Sequence, residues 1–383
     1  MNRNPMSRDI PRPWAAAAAL ACLLFLLLAG AERARAAEPT PTLAYYYIWF
    51  DPSSWSRAKT DYPLLGHYSS DERAVMRQHV VWAKEAGLDG FIVSWKSTPL
   101  LNARLERLVR IADEEDFKLA IIYQGLDFAR QPLPVARIAS DLEYFADSYG
   151  GDPAFQIFDR PLVVWSGTPE FSAAQIASVT RRLRSRLLIL ASEHDPVDYR
   201  RLADAVDGEA YYWSSVDPAT FPHYPERLAG FGRAVHAHDG LWIAPAAPGF
   251  DARLVGGTSV VSRKDGATFR LELDAAQSSS PDAIGVISWN EFSENSHIEP
   301  SERYGGRYLA VLADVLGARA PVVEDFDSDA PAATGVGYGI PLLLGLGLVV
   351  FGGMTLRRAS RNRAGARAKS RRSNAAREGA EGR

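Results

Sequence analysis

Eight short runs of apolar, β-branched and aromatic residues recur between positions 43 and 316, and each is followed by a longer stretch of helical period. This alternation is typical of parallel strands joined by crossover helices. The predicted strands are residues 44–50, 90–95, 118–123, 161–165, 187–191, 210–213, 241–244 and 284–289.

Eight strand-helix units in about 275 residues predict a (β/α)₈ TIM barrel, for which ~250 residues is typical. A doubly wound open sheet is the main alternative. Such a sheet would more often carry a glycine-rich phosphate turn after its first strand, and this chain has Asp-Pro-Ser-Ser-Trp at residues 51–55. We therefore expect a barrel domain over residues 38–320.

The charge is distributed unevenly. The net charge is −3, but residues 1–37 carry +3 and residues 357–383 carry +8, so that residues 38–356 carry −14. An acidic body argues against a nucleic-acid partner, because phosphate binding needs clustered Lys and Arg. The single cysteine, Cys22, excludes a disulfide framework and any zinc site built from cysteines.

The N-terminus has the pattern of a secretory signal peptide, which we predict over residues 1–37. Three arginines precede an uncharged run at residues 14–31, and small residues follow at 34–37. Two alternatives remain open: a lipoprotein modified at Cys22, and an uncleaved N-terminal anchor.

The C-terminal region predicts a transmembrane helix over residues 333–356, since residues 330–356 contain no charge and are long enough to cross a bilayer. An acidic linker at residues 321–332 precedes it, and a basic tail at residues 357–383 follows. The positive-inside rule predicts a cytoplasmic tail, and hence a single-pass protein of the cell membrane with its main body outside the cell.

In a TIM barrel the chemistry lies at the carboxyl ends of the strands. Tryptophan stands at five of these predicted ends, and indole faces can stack on sugar rings, or merely plug the barrel. Together with nearby amide, acidic and aromatic side chains they give the candidate substrate-binding residues, which are Tyr47, Trp49, Trp95, Gln124, Asp127, Trp213, Trp289, Asn290, His297 and Glu299.

The densest cluster follows the last strand, where residues 289–300 read Trp-Asn-Glu-Phe-Ser-Glu-Asn-Ser-His-Ile-Glu-Pro. Cleavage of a glycosidic bond needs one carboxyl to protonate the leaving oxygen and a second group to act at the anomeric carbon. Glu291 and Glu294 are the candidate catalytic pair, and burial together with their mutual repulsion should separate their pKa values. We predict no metal and no cofactor, because the histidines lack metal-ligand spacing.

These motifs resemble glycoside hydrolase family 99, the endo-α-mannosidases and endo-α-mannanases. The resemblance covers most of residues 44–316, including the segments 45–50, 62–71, 86–95, 152–155, 160–161, 248–251 and 288–300. It implies a retaining (β/α)₈ enzyme in which Glu291 acts as a base on the sugar's own 2-hydroxyl. A 1,2-anhydro sugar results, while Glu294 protonates the leaving oxygen and later activates water.

The chain departs from the family pattern at several points. Phe292 and Ser293 replace Trp-His, and Tyr123-Gln124-Gly125 stands where the family carries His-Ile-Glu-Pro, so that the glutamate of that motif is lost. The last segment also resembles the endo-α-1,3-glucanases of family 71. Three functions therefore remain open: a family-99-like α-glycosidase acting on an α-linked polysaccharide or glycan, an endo-α-1,3-glucanase, and a degenerate carbohydrate-binding protein.

Overall fold

The computed structural model describes residues 39–127 and 129–323. The predicted signal peptide, transmembrane helix and basic tail lie outside the described residues, as does the acidic linker beyond residue 323. Within the described part of the chain, no helix combines the length and apolar character that crossing a membrane requires.

Eight parallel strands close into a barrel in the order β1-β10-β7-β6-β5-β4-β3-β2. Closure comes from the pairing of the first barrel strand with the last, where Thr42 lies opposite Ile284 and Ala44 opposite Val286. The strands are β1 (Thr42–Tyr47), β2 (Gly90–Trp95), β3 (Lys118–Gln124), β4 (Leu162–Ser166), β5 (Leu188–Ala191), β6 (Gly208–Ala210), β7 (Leu241–Ala246), β8 (Phe250–Asp251), β9 (Val260–Val261) and β10 (Ala283–Val286). The predicted TIM barrel is thus confirmed.

Helices surround the barrel, and eight α-helices belong to the region that the structure describes. They are α1 (Arg73–Glu85), α2 (Pro99–Glu115), α3 (Val135–Tyr149), α4 (Ala173–Leu183), α5 (Pro196–Arg200), α6 (Tyr224–His236), α7 (Ala267–Ser278) and α8 (Arg307–Leu316). Strands β8 and β9 form a separate antiparallel pair in the long connection between β7 and α7, which the sequence analysis did not predict.

Alternation along each strand divides the core into two layers. On β1, Leu43 and Tyr45 point into the barrel and pack with Ile92 and other strand residues. Ala44 and Tyr46 point outward and join the larger cluster under the helices. Both faces are therefore buried, which explains why the strands read as nearly continuous apolar runs.

The predicted strand at residues 210–213 is displaced. The strand is Gly208–Ala210, and the aromatic run that follows it lies beyond the strand's end. A buried carboxylate, Glu209, occupies the middle of the true strand and accepts a hydrogen bond from Glu193 N at 2.7 Å. A strand of three residues with a glutamate in its middle has no hydrophobic pattern, so the sequence predicted the strand at the aromatic residues that follow it.

The predicted first and last barrel strands also extend three residues too far. The chain leaves the hydrogen-bonded ladder of the barrel after Tyr47 and after Val286.

Gly90 should be indispensable to the packing of the barrel. A Cβ at this position would lie 2.4 Å from the carbonyl oxygen of Lys118 on β3. We expect Gly90→Ala to lower the free energy of unfolding by about 1 to 3 kcal/mol, because two backbones must separate to admit the methyl group. Gly151→Ala is the control, since a Cβ there has no atom within 4 Å. Urea unfolding of both variants measures the difference, and equal midpoints would refute the expectation.

Candidate active site

Glu291 and Glu294 lie at the carboxyl end of the last barrel strand. Glu291 caps a single 3₁₀ turn, Phe292–Glu294, and its Oε1 accepts a hydrogen bond from Ser293 N at 3.0 Å. Glu294 ends the turn, and Asn295 then reverses the chain in the left-handed region with φ 48°. Both carboxyl groups are only 1% exposed.

The two carboxyl groups differ electrostatically. Burial raises the pKa of Glu291 to about 7, although the Ser293 N–H and the charge of Lys59 oppose the increase. Burial and then the charge of Glu291 raise the pKa of Glu294 well above its usual range, and Arg130 only partly offsets this. Glu291 therefore loses its proton at a lower pH than Glu294, so that a singly charged pair carries its negative charge on Glu291 and its proton on Glu294.

Each glutamate also has an uncommitted oxygen. Glu291 Oε2 and Glu294 Oε1 are buried, and neither has a hydrogen-bond partner within residues 39–127 and 129–323. Unpaired buried polar atoms are costly, so their retention is typical of a functional site. One base and one proton donor are thus available at the same mouth.

Two tyrosine hydroxyls lie beside the pair. Tyr47 at the end of β1 and Tyr212 after β6 are hydrogen-bonded to each other. Burial raises the pKa of both, and the charges of Glu291 and Glu294 raise it further. Trp49 packs on Tyr47 with ring centroids 4.3 Å apart. The structure thus brings predicted residues Tyr47 and Trp49 to the glutamates, and it adds Tyr212, which the displaced strand assignment had hidden.

Two cations flank the glutamates, and sequence analysis identified neither. Lys59 Nζ donates a hydrogen bond to Ser293 Oγ at 3.3 Å, from 234 residues earlier in the chain. Arg130 follows β3, and Glu294 and Glu170 raise its pKa while burial lowers it more strongly. No local motif marks either residue, because only the closed barrel brings these loops together.

Asn290 occupies a different position from the one predicted for a substrate ligand. Its Oδ1 accepts a hydrogen bond from Tyr47 N at 2.8 Å, and its Nδ2 donates to Tyr47 O at 3.0 Å and to Tyr68 Oη at 3.3 Å. The side chain is fully buried. Its amide is therefore engaged in tying the catalytic turn to β1.

Glu299 also lies behind the mouth and not in it. Its Oε1 is 3.0 Å from His79 Nε2 on α1, and its Oε2 accepts a hydrogen bond from Tyr68 Oη at 2.9 Å. His79 Nδ1 is in turn 3.0 Å from Tyr46 Oη. The buried carboxylate thus supports the wall of the site through protein partners.

His297 is buried as well, with its Nε2 3.0 Å from Asp61 Oδ2 and its ring stacked on Phe292 at 4.0 Å. Burial and then the charge of Arg263 lower its pKa to about 4. The imidazole is therefore neutral near neutral pH, and it positions the loop after Glu294.

The predicted tryptophan cleft needs correction. Trp95 and Trp289 are fully buried and point outward, into the layer between barrel and helices. Trp95 donates a hydrogen bond to Asn102 Oδ1 at 3.0 Å, and Trp289 packs on Phe91 with ring centroids 5.2 Å apart. Trp213 is half-buried against the same layer. Trp95 and Trp289 therefore present no indole to the mouth.

Gln124 and Asp127 follow β3. Gln124 faces the barrel mouth, where its Nε2 donates a hydrogen bond to Ser94 Oγ at 3.3 Å. Asp127 Oδ1 instead accepts a hydrogen bond from Gln131 N at 2.8 Å, and this bond closes the turn that carries Arg130. A search of residues 39–127 and 129–323 finds no cluster of three His, Cys, Asp or Glu side chains able to hold a metal ion.

The structure is thus a (β/α)₈ barrel with two buried glutamates at one mouth, and comparisons with known proteins show which proteins it resembles. No family model matches the sequence. The chain is 22% identical over 271 residues to a human glycoprotein endo-α-1,2-mannosidase-like protein, covering 62% of this chain and 56% of that protein. It thus spans about half the length of this curated relative.

Two solved structures also resemble this chain. The family 99 endo-α-mannosidase from Bacteroides thetaiotaomicron matches with a TM-score of 0.64 at 20% identity, over 72% of this chain and 96% of that one. A glycoside hydrolase-like protein matches with a TM-score of 0.61 at 16% identity, over 73% and 94%. These structures share the fold, and the resemblance to glycoside hydrolase family 99 is confirmed.

The buried pair should make stability fall with rising pH. Because the pKa of Glu291 is raised in the folded state, its stabilising contribution is complete below about 4.5 and is lost as the pH rises through about 7. We expect wild type to lose about 3 kcal/mol more unfolding free energy between pH 4 and pH 8 than Glu291→Gln does. The exposed Glu106→Gln is the control and should follow wild type. Urea titrations at each pH measure this, and parallel curves for wild type and Glu291→Gln would contradict it.

Proposed function

We propose that this protein hydrolyses α-linked glycosidic bonds of a polysaccharide or glycan with retention of configuration, as an endo-α-mannosidase- or endo-α-mannanase-like enzyme. One observation carries the proposal: two buried carboxyl groups share the mouth, and the pKa of Glu294 is raised further than the pKa of Glu291. A singly charged pair thus has one ionised and one protonated carboxyl group, which are the states that a base and a proton donor need.

The family resemblance supplies the order of steps. Glu291 takes the proton of the sugar's 2-hydroxyl, and that oxygen attacks the anomeric carbon while Glu294 gives its proton to the leaving oxygen. A 1,2-anhydro sugar forms as the glycosidic bond breaks. Glu294 then takes a proton from water, whose oxygen opens the three-membered ring, and Glu291 returns its proton to the 2-oxygen. Two displacements restore the original anomeric configuration.

The residues around the pair favour a sugar ligand. Trp49 and Tyr47 supply aromatic surface, and the Tyr212 hydroxyl and the Gln124 amide supply polar groups at the same mouth. The segment at residues 123–125, Tyr-Gln-Gly, lacks the glutamate that the family pattern carries there. This replacement keeps an endo-α-1,3-glucanase as the second candidate. A binding protein without turnover fits less well, since binding alone gives no reason to keep two costly buried carboxyl groups.

The roles of the two glutamates can be separated by the leaving group. Glu294→Gln should lower the hydrolysis rate of a natural α-linked glycan by a factor of about 100 or more, because the leaving oxygen must be protonated. On an α-glycosyl fluoride the same variant should release fluoride in the first turnover at a rate within about tenfold of wild type, since fluoride needs little proton donation. Later turnovers should be slower, because Glu294 also activates water. Glu291→Gln should be poor on both substrates, and the measurement is the fluoride or sugar released in the first turnover.

Glu302→Gln is the matched control, because Glu302 follows the same loop but is exposed. It should behave as wild type on both substrates. If Glu294→Gln slowed the first turnover equally on the glycan and on the fluoride, Glu294 would not be the proton donor.

We also propose that the enzyme acts outside the cell while anchored to the membrane. The support is the sequence alone: a signal-like N-terminus, an uncharged segment at residues 330–356, and a tail of +8 after it. The acidic body would then face the exterior, where polysaccharide substrates are found.

Protease added to intact cells tests this topology. We expect the barrel to be degraded and residues 357–383 to stay protected, because the tail lies behind the membrane. Antibodies against a tag inserted after residue 37 and against a tag at the C-terminus follow the two parts on a blot. Recovery of the intact protein in the soluble cytosolic fraction would refute the anchor.

A further inference from the structure

Lys59 has unusual surroundings for a lysine. Its ammonium group is more than half buried beside the catalytic turn, where burial lowers its pKa and the charge of Glu291 raises it. Its direct partners are the Ser293 hydroxyl at 3.3 Å and the face of Trp55, whose ring centroid is 5.7 Å away. Within the described residues it forms no salt bridge. A cation withdrawn from water without a contacting counter-ion is costly and needs an explanation.

Ser293 connects this cation to one glutamate. Its backbone N–H donates to Glu291 Oε1 at 3.0 Å. Its hydroxyl accepts a hydrogen bond from Lys59, and the hydroxyl proton in turn favours the ionised form of Glu291. Lys59 thus bonds to the side chain of the same residue whose backbone N–H bonds to Glu291.

The connection is asymmetric. Lys59 and Ser293 act on Glu291, whereas the cation that acts on Glu294 is Arg130, from the loop after β3. Two neighbouring buried carboxyl groups can carry one negative charge in either of two arrangements. Ser293, to which Lys59 is bonded, donates its N–H to Glu291 alone, and this difference selects the arrangement.

We infer that Lys59, acting through Ser293, is a positioning residue that makes Glu291 the ionised base and leaves the proton on Glu294. The inference rests on the proposed function, in which these two roles are distinct. It assigns a purpose to Ser293, a residue at which this chain departs from the family pattern, and to Lys59, which no motif marks.

The other groups around Glu291 do not substitute for Lys59. Glu294 lies on the same turn, and its negative charge would oppose ionisation. Tyr47 from β1 and Tyr212 from the loop after β6 stay neutral, because burial raises the pKa of both. Arg57 acts on Lys59, whose pKa it lowers.

Carbon-13 NMR of protein labelled at the glutamate side-chain carboxyl carbon tests the inference without substrate. The Glu291 and Glu294 signals are assigned from the Glu291→Gln and Glu294→Gln variants. In Lys59→Met we expect the Glu291 midpoint to rise by about one pH unit, since a nearby positive charge is removed. Lys59→Arg should restore the wild-type midpoint, and Ser293→Ala should shift it upward by a smaller amount. Lys118→Met, at the opposite end of the barrel, is the matched control and should leave it unchanged.

The same shift should appear in catalysis as a parallel upward movement of the acidic limb of the pH profile of kcat/KM. An unchanged Glu291 midpoint in both Lys59→Met and Ser293→Ala would overturn the inference, and so would an equal shift of both glutamates. If Lys59→Met does not fold, the Glu291 midpoint in Ser293→Ala alone tests the inference. This variant removes only the hydroxyl that Lys59 contacts, because the backbone N–H of residue 293 still donates to Glu291. Failure to cleave any polysaccharide would refute the proposed function. The NMR titration needs no substrate, so it would still test whether Lys59 lowers the pKa of Glu291.

Discussion

The exclusion of water from two neighbouring carboxyl groups is the constraint on which the mouth of this barrel depends. In water both glutamates would be ionised at neutral pH and equivalent. Burial penalises the charge, and their mutual repulsion then leaves a single charge to be shared. The difference between a base and a proton donor thus arises from the surroundings of two identical side chains, at a cost in stability that the rest of the barrel must offset.

Two buried polar networks hold the catalytic turn in place. On one side, Asn290 is bonded to the backbone of Tyr47 and to Tyr68, which leads to the Glu299–His79 pair under α1. On the other side, the Asp61–His297 pair is joined to Arg263, whose Nη2 donates to His297 O at 2.8 Å. Both networks are polar groups paired inside the protein, and they fix a short turn that has little regular structure of its own.

The sequence predicted the barrel because hydrophobic periodicity is a local signal repeated eight times. It also predicted the position of Glu291 and Glu294, since the end of the last strand is fixed by the fold. It failed where an answer depended on which way a side chain points or on residues far apart in the chain. Trp95 and Trp289 stand at strand ends but face the helices, and Lys59 reaches the site only after the barrel closes.

The most direct test of the account is proton NMR of an α-mannan and an α-1,3-glucan during incubation with the purified protein, beginning before the released sugar can mutarotate. The account predicts new reducing ends from at least one of them, with the α configuration in the first spectra, and none with Glu291→Gln. The β anomer as the first product, or binding of the polysaccharides without release of any sugar, would contradict it.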